Sequence, residues 1–403
     1  MTTYKFLLDL ALILLSTKLL GLMTRRFQMP QVVGSLLAGL LLGPAVLGWI
    51  TQTTYIQETA EVGVIILMFC AGMETDVHEL KRCGLASFVI ALIGVIVPLI
   101  GGYLVAVAFN RPGMIESHAT APAFLQNVFI GVILTATSVS ITVETLKEIG
   151  KLNTRSGNAI LGAAVIDDVL GIIALTLITS MTDKSVKISM VMFKIIGFFI
   201  FAGIVGFLFY TFYNSWTLNS ASNLRRHTII CFVFCLLMSY VAEKFFGVAD
   251  ITGAYIAGII ISMTESEHYV AKKFDVLSYL YLSPIFFASI GLKVKLPAMS
   301  GAVIAFSVLL TVVAILTKII GCGLGAKLMG YHGYQCMRIG VGMISRGEVA
   351  LIVASKGAAL GLMSDELMGP VVIVVIITTI IAPILLKPVF AYVPKGGYAP
   401  RAD

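Results

Sequence analysis

Long apolar stretches fill almost the whole sequence, and short joints rich in charged residues, proline, glycine and asparagine separate them. Most stretches reach about 20 residues, the length that an α-helix needs to cross a bilayer. They predict an all-α integral membrane protein with about 13 transmembrane helices. The predicted helices cover residues 5–24, 31–50, 58–74, 84–109, 124–146, 157–181, 187–213, 225–243, 249–264, 277–294, 300–328, 336–361 and 367–390.

Lysine and arginine collect at every second joint, after the odd-numbered helices. These residues are Arg25 and Arg26, Lys81 and Arg82, Lys147, Lys151 and Arg155, Arg225 and Arg226, Lys272 and Lys273, and Lys327 and Arg338. Because cytoplasmic loops accumulate positive charge, the pattern predicts a multi-pass protein of the cell (inner) membrane, with its N-terminus outside and its C-terminus in the cytoplasm. No small-residue cleavage site follows the first stretch, which is therefore predicted to be a retained helix rather than a signal peptide.

The composition agrees with this interpretation and leaves little room for a separate soluble domain. Of the 403 residues, 58% are hydrophobic and 12% are charged, and the mean hydropathy is +0.99. Soluble domains are about 45–50% apolar and about 25% charged. The formal charge of +7 comes from the basic joints, so it indicates topology and predicts no nucleic-acid partner. Cys231 and Cys235 have no nearby His or carboxylate to complete a metal site, so packing is their expected role.

Two stretches of the chain repeat the same spacing of small residues. Residues 33–39 read VGSLLAG and residues 252–258 read TGAYIAG, and the same offset of 219 carries Gly72 onto Gly291. This offset corresponds to an odd number of predicted helices, so the two halves are predicted to form an inverted-topology repeat. The alternative is chance recurrence, because small residues are common where membrane helices pack closely.

An inverted repeat predicts how the chain is divided. Residues 1–182 form the first repeat with helices one to six, residues 183–223 form a linker with helix seven, and residues 224–403 form the second repeat with helices eight to thirteen. Inverted repeats with interrupted helices are the architecture of secondary transporters, which bind their substrate near the midplane where discontinuous helices cross.

Two adjacent acids, Asp167 and Asp168, interrupt the apolar sequence GAAVIDDVLGIIA of helix six. A charge at the centre of a membrane helix costs about 3 to more than 10 kcal/mol, so such residues normally face a cavity or a partner and mark an ion or proton path. Neighbouring side chains on a helix point about 100° apart. The two carboxylates are therefore predicted to have different partners.

A single lysine, Lys318, lies about midway along the apolar run of helix eleven. Burial disfavours the charged form of a lysine unless a carboxylate pairs with it. Lys327, near the end of this helix, is the better candidate for a lysine that extends its ammonium to the membrane surface. Lys318 is therefore predicted to be a buried ion-pair or proton-site residue.

Two midspan segments are rich in residues that interrupt helices. LTATSVSIT, residues 134–142, carries five hydroxyl side chains, and GVGMISRGEVA, residues 340–350, combines glycines with Arg346 and Glu348. Unwound backbone is tolerated in a membrane only where it lines a cavity, so these segments predict two crossing broken helices. Arg346 and Glu348 are predicted to neutralise helix-end dipoles or each other. The alternative is two intact helices whose hydroxyls bond to the carbonyl four residues earlier.

The sequences AVIDDVLGIIAL, LTKIIGCGLG and GMISRGEVALIVASKG together resemble the monovalent cation:proton antiporter-2 family, in particular bacterial sodium/proton antiporters with an Asp-Asp motif. The resemblance covers essentially the whole chain. It implies the sodium/proton antiporter fold, in which a core bundle with the ion site moves against a dimerisation bundle, each drawn from both repeats, in a homodimer. Related potassium-efflux systems carry Gln-Asp at the acid pair and append a soluble nucleotide-sensing domain, and neither feature is expected here.

The resemblance also implies roles for individual residues. The second acid, Asp168, coordinates the cation, which makes Na⁺ at Asp168 the implied metal site, and the first acid, Asp167, pairs with Lys318. The hydroxyl-rich broken helix contributes further oxygens, which matches Thr135, Thr137 and Ser138. No cofactor is expected beyond the transported Na⁺ and H⁺. The expected partners are these ions, membrane lipid and a second copy of the chain.

These residues predict exchange of a monovalent cation, Na⁺ before Li⁺ or K⁺, for protons. Burial disfavours a charged carboxylate, so a proton and a dehydrated cation compete for Asp168. Release of a second proton from the Asp167 and Lys318 pair would make the cycle electrogenic. The alternatives are a potassium/proton antiporter or a potassium-efflux channel-like pathway on the same fold. An enzyme is not predicted, because an aspartyl protease needs two carboxylates about 3 Å apart.

Overall fold

The computed structural model describes residues 4–27, 29–75, 77–111, 114–115, 119–182, 188–218, 224–294 and 300–392. Within these ranges the secondary structure is helical throughout and contains no β-strand. The helices are α1 (Lys5–Arg26), α2 (Gln31–Leu42), α3 (Thr54–Glu74), α4 (Val77–Phe109), α5 (Ala123–Ile133), α6 (Val139–Glu148), α7 (Arg155–Thr182), α8 (Ile188–Leu218), α9 (Leu224–Val241), α10 (Asp250–Ser262), α11 (Glu267–Leu277), α12 (Ser283–Leu292), α13 (Gly301–Leu328), α14 (Gly333–Gly342), α15 (Glu348–Ala359) and α16 (Met368–Ala391).

The predicted all-α membrane architecture is confirmed. Among the described residues, nine helical segments are long and apolar enough to cross a membrane, and four shorter apolar helices accompany them. The pair α5 and α6 together fills the predicted fifth helix, and the pair α14 and α15 fills the predicted twelfth. The exact number of 13 membrane crossings stays a prediction.

One predicted helix ends earlier than its apolar run. The sequence predicts a helix over residues 31–50, but α2 ends at Leu42, and Gly43 is extended with φ −77° and ψ 179°. Pro44 follows, and the residue before a proline is sterically disfavoured in the helical region. The prediction was wrong here because the apolar run continues past Leu42, whereas Gly43 and Pro44 end the helix.

The tenth predicted helix begins earlier than its predicted boundary at residue 277. A continuous helical segment starts at Glu267 with α11, passes through a π-helical turn at Ser278–Leu282 and continues as α12. The first part of this segment, EHYVAKKFD, is charged, so apolar runs alone do not predict that it is helical.

The helices pack in two groups. α1, α2 and α3 pack with α9, α10, α11 and α12, and we call this group the framework bundle. α4, α5 and α7 pack with one another, and α13 joins α4 to α14 and α16. α16 also contacts α15 and α6. We call this group of helices the site bundle. The predicted linker helix α8 contacts α7 on one side and α10 on the other.

Glycines bring the framework helices into backbone contact. A Cβ atom added at Gly39 would lie 2.0 Å from the Ala288 carbonyl oxygen, and one added at Gly291 would lie 2.6 Å from the Gly39 carbonyl carbon. Gly72 and Gly258 likewise contact each other. The offset of 219 residues carries Gly39 onto Gly258 and Gly72 onto Gly291. The two halves of the framework bundle thus use equivalent small-residue contacts. The division at residues 1–182, 183–223 and 224–403 itself stays a prediction.

Candidate ion-exchange site

Both predicted breaks are present, and the alternative of two intact helices is wrong. α5 ends at Ile133 and α6 begins at Val139, while α14 ends at Gly342 and α15 begins at Glu348. The two breaks, residues 134–138 and 343–347, contact each other through a reciprocal pair of hydrogen bonds. The Ser138 amide donates to the Ser345 carbonyl at 2.7 Å, and Ser345 Oγ donates to the Ser138 carbonyl at 2.8 Å.

Side-chain hydroxyls and a glycine hold this crossing together. Thr142 Oγ1 donates to the Gly342 carbonyl at 2.7 Å and lies 2.9 Å from Ser345 Oγ. A Cβ atom at Gly347 would lie 2.7 Å from Ser138 Oγ, so only glycine permits the close approach. These contacts satisfy backbone groups that the helix ends leave without intrahelical partners.

Arg346 belongs to the α14–α15 break and is fully buried. Its Nη1 donates to the Ala136 carbonyl at 2.7 Å, and its Nη2 donates to the Ala314 carbonyl of α13 at 3.2 Å. Its own carbonyl accepts a hydrogen bond from Thr379 of α16. The guanidinium therefore places a positive charge against the Ala136 carbonyl, just beyond the C-terminal end of α5, where the helix dipole is negative. The side chain of Glu348, the predicted partner in this role, lies outside the described residues.

Asp167 and Lys318 form a completely buried ion pair. Lys318 Nζ lies 2.9 Å from Asp167 Oδ1, and both side chains are 0% exposed. Their contact joins α7 to α13. The second carboxylate oxygen, Asp167 Oδ2, is buried without a hydrogen-bond partner among the described residues. Removing one member of such a pair leaves an uncompensated buried charge.

Asp168 lies on a different face of α7 from its neighbour. Its relative exposure is 9%, compared with 1% for Asp167, and the helix separates the two side chains by about 100°. The two acids thus have different surroundings, although they are adjacent in the sequence.

The three predicted oxygen ligands on the α5–α6 break are all buried. Thr135 Oγ1 donates to the Val132 carbonyl at 2.8 Å, and Ser138 Oγ lies 3.2 Å from Ser140 Oγ. Thr137 Oγ1 has no hydrogen-bond partner within the described part of the chain. A buried hydroxyl normally has a partner, so Thr137 Oγ1 is an oxygen of this break whose hydrogen-bonding capacity the described residues leave unused.

Several residues of the crossing are not predicted from the sequence. Thr142 and Ser345 lie in the two predicted segments, but nothing in the sequence indicates that they contact each other across more than 200 positions. Thr379 contributes from α16. Its signal was the pair Thr378 and Thr379 within the otherwise apolar run VVIVVIITTIIAP, which matches the type of midspan polarity that identified the breaks.

A second polar cluster, at the end of α6, was also missed. Lys147 Nζ lies 2.9 Å from Glu74 Oε1 of α3 and 2.5 Å from Asp275 Oδ1 of α11. The next residue, Glu148, accepts a hydrogen bond at 2.7 Å from the Gln31 amide at the start of α2. Partial burial raises the pKa of Glu148, and the Gln31 amide opposes this effect. These contacts join the site bundle to the framework bundle.

A cavity of about 480 Å³ lies between the two bundles. Residues of α1, α2, α6, α11 and α12 line it, and its carboxylates are Glu144, Glu148 and Asp275. Glu144 follows Ser138 by six residues on α6, a distance of about 9 Å along the helix axis. The cavity therefore extends along α6 from Glu148 at its C-terminal end to Glu144.

Comparison with known proteins supports the resemblance that the sequence motifs indicate. The transmembrane family described as sodium/hydrogen exchanger matches residues 11–392. The chain belongs to the sodium/hydrogen exchanger family. It is 42% identical over 397 residues to the Na⁺/H⁺-K⁺ antiporter GerN of Bacillus cereus, with 98% of each chain covered. It is 36% identical over 402 residues to a Na⁺/H⁺ antiporter of Enterococcus hirae, covering 98% of this chain and all of that one.

A solved structure shows that the fold is shared more widely than the sequence. The sodium proton antiporter MjNhaP1 of Methanocaldococcus jannaschii, determined at pH 8, matches with a TM-score of 0.69. The match covers 97% of this chain and 98% of that chain at 16% sequence identity. The predicted sodium/proton antiporter fold is therefore confirmed for a multi-pass membrane protein of a transporter family. The individual roles of Asp167, Asp168, Lys318 and the break hydroxyls stay predictions.

Proposed function

We propose that the protein exchanges Na⁺ for protons across a membrane by alternating access. The observation that carries this proposal is the buried pair of Asp167 and Lys318, next to Asp168 and beside two helix breaks that contact each other. Two relatives at 36–42% identity are named as antiporters of Na⁺ and H⁺. Charged residues inside a membrane protein mark ion and proton paths.

Asp168 is the proposed site at which the two ions compete. A carboxylate in a dehydrated site holds either a proton or a cation, because its bare charge is costly. Thr137 Oγ1 and the carbonyls of the unwound α5–α6 backbone are the proposed additional oxygens. Unwound carbonyls and helix ends are the groups with which transporters of this architecture coordinate Na⁺.

The pair of Asp167 and Lys318 is the proposed source of a second proton. When the cation binds, loss of the salt bridge would leave Lys318 charged and without a carboxylate in a fully buried position, which favours release of its proton. Exchange of two protons for one Na⁺ carries net charge. The proposed cycle is therefore electrogenic, and exchange that does not respond to an imposed membrane potential would contradict this part of the proposal.

Alternating access is proposed to come from movement of the site bundle against the framework bundle. Their contacts include the ion pairs of Lys147 and the bond from Gln31 to Glu148, all of which lie at the protein surface and can reform. The proposed orientation places the end of α6 on the cytoplasmic side, with the N-terminus outside, because of the distribution of lysine and arginine. A homodimer through the framework bundle, a location in the cell membrane and the two inverted repeats complete the proposal.

Transport in liposomes tests the proposal directly. Purified protein is reconstituted in vesicles with an acidic interior and a fluorescent pH probe, and Na⁺ or K⁺ is added outside. We expect Na⁺ to raise the internal pH with the wild type, and Asp168→Asn to abolish this response. Asp9→Asn is the matched control, because Asp9 is also a buried acid but lies on α1 in the framework bundle. Folded wild-type protein without any cation response would contradict the proposal.

Exchange of K⁺ is the second candidate, because the name of the GerN relative includes K⁺ beside Na⁺. The same vesicles distinguish the two cations, since each salt is added separately at equal ionic strength. A larger response to K⁺ than to Na⁺ would reverse the assignment. A steady current through single molecules, without coupling to protons, would instead favour a channel-like pathway.

A further inference from the structure

A second cavity, of about 400 Å³, lies at the surface where the two bundles meet. Three cationic residues from three separate elements line it, and we call it the basic pocket. Arg25 comes from the end of α1 in the framework bundle, Lys151 from the turn after α6, and Lys387 from the end of α16 in the site bundle. All three lie far apart in the sequence.

Among the residues that the structure describes, the three cations of the basic pocket share a single lining carboxylate, Glu148, whose charge interacts with Arg25 and Lys387. Among the described residues, none of them lies within ion-pair distance of a carboxylate. Glu148 Oε2 also accepts a hydrogen bond from the Gln31 amide at 2.7 Å. The pocket therefore has two positive charges in excess, and like charges that are held together favour binding of an anion.

The rest of the lining is apolar. Met29, Pro30, Ile149 and Phe390 share the pocket with the cations, and Pro30 and Phe390 are buried. An apolar wall contributes nothing to the binding of a small inorganic anion. A phospholipid, in contrast, carries its phosphate next to hydrocarbon. The pocket also lies where the apolar runs of α1 and α16 end, which is the depth of lipid headgroups.

We propose that the basic pocket binds the headgroup phosphate of an anionic phospholipid, with the start of the lipid chains against the apolar wall. Basic pockets between transmembrane helices are suited to such headgroups. Because Arg25 belongs to the framework bundle and the two lysines to the site bundle, the lipid contacts both bundles at once. This site is separate from the proposed ion site and does not depend on the proposed exchange activity.

Thermal unfolding of the full-length protein in a neutral detergent tests the site. Phosphatidylglycerol, phosphatidylcholine and inorganic phosphate are titrated separately at equal phosphate concentration. We expect only phosphatidylglycerol to raise the unfolding temperature, in a way that weakens with added NaCl. The triple variant Arg25→Gln, Lys151→Gln, Lys387→Gln should bind phosphatidylglycerol with roughly a hundredfold lower apparent affinity, since each basic residue near an anionic headgroup contributes about 1 kcal/mol.

The matched control removes the same number and type of charges elsewhere. Arg226, Lys272 and Lys327 are exposed cations outside the basic pocket and at joints on the same predicted side of the membrane. Their triple replacement by Gln should respond to phosphatidylglycerol as the wild type does. If the pocket triple variant does not fold, the single variant Lys387→Gln is compared with Lys327→Gln by counting retained lipids in native mass spectrometry.

Two results would overturn the proposal. One is equal stabilisation of the pocket variant and the wild type by phosphatidylglycerol, which would place the lipid elsewhere. The other is stabilisation of the wild type by inorganic phosphate to the same extent as by phosphatidylglycerol, which would make the ligand a free anion rather than a lipid.

Discussion

The helices of the framework bundle and those of the site bundle pack through different kinds of contact. In the framework bundle, glycines bring helix backbones together, as where Gly39 meets Ala288 and Gly291. In the site bundle, buried polar groups meet one another, as where Asp167 meets Lys318 and Arg346 meets the Ala136 carbonyl.

This difference indicates which part of the molecule can change its chemistry. Contacts between glycine backbones are dry, depend on shape alone and do not respond to an ion or a proton. A buried ion pair depends on the charge of both partners, so a change in protonation changes its energy by several kcal/mol. The framework bundle is thus suited to be a rigid support, and the site bundle is suited to hold an exchangeable ion.

The largest effect is expected from breaking the buried pair of the site bundle. Lys318→Gln leaves the carboxylate of Asp167 buried without its cation, and we expect a loss of about 3–5 kcal/mol in the free energy of unfolding. The double variant Lys318→Gln, Asp167→Asn removes both charges and should recover most of that loss. Unfolding in mixed micelles measures both, and equal losses in the single and double variants would contradict a charge effect.

A smaller loss is expected from disturbing the framework bundle. Gly39→Ala places a methyl group 2.0 Å from the Ala288 carbonyl oxygen, and overpacking of this kind costs about 1–3 kcal/mol. Gly203→Ala is the control, because a Cβ atom at Gly203 of α8 meets nothing within 4 Å. The same unfolding measurement should show no loss for this control. We expect the proton response to Na⁺ to persist in any Gly39→Ala protein that stays folded, since the proposed ion site lies in the other bundle.

The two bundles also differ in how much the sequence could predict of them. Periodic apolar runs and midspan glycine and hydroxyl residues predicted the helices and both breaks, because these are local properties of the chain. The acceptors of Arg346 are backbone carbonyls of Ala136 and Ala314, and every residue carries a carbonyl, so no pattern could identify them. The pairing of Asp167 with Lys318 followed only from the family resemblance, since 151 positions separate the two residues.

The contacts between the two bundles could not be predicted from the sequence, for a related reason. Lys147 marks a basic joint in the sequence, but its ion pairs with Glu74 and Asp275 need three helices to assemble. By contrast, Gly43 and Pro44 are local sequence features that indicate the early end of α2 at Leu42. Local stereochemistry was available there, whereas the packing partners depend on the tertiary fold.

A still smaller effect is expected at the α5–α6 break. Thr137→Val removes a buried hydroxyl that has no protein partner within the described residues, and loss of one oxygen contact of about 1 kcal/mol should raise the apparent KM for Na⁺ about fivefold. Thr145→Val is the control, because Thr145 is also buried on this broken helix but its Oγ1 donates to the Ile141 carbonyl at 2.7 Å. An unchanged KM in Thr137→Val would remove this hydroxyl from the proposed site.

The smallest effect is expected where the two bundles touch, at Glu148. Partial burial raises the pKa of its carboxyl in the folded protein, so the folded state binds this proton more tightly than the unfolded state does. The contribution of Glu148 to the free energy of unfolding should therefore fall as the pH rises from the ordinary pKa of about 4.3 through the higher folded value.

Glu148→Gln keeps an oxygen to accept the Gln31 amide but cannot titrate. The difference in unfolding temperature between wild type and variant is measured from acidic to neutral pH. It should decline as the pH rises and then level off. Glu265→Gln is the control, because Glu265 is an exposed acid of the framework bundle. A difference that rises with pH would mean that ionised Glu148 stabilises the contact between the bundles, which would reverse the sign expected here.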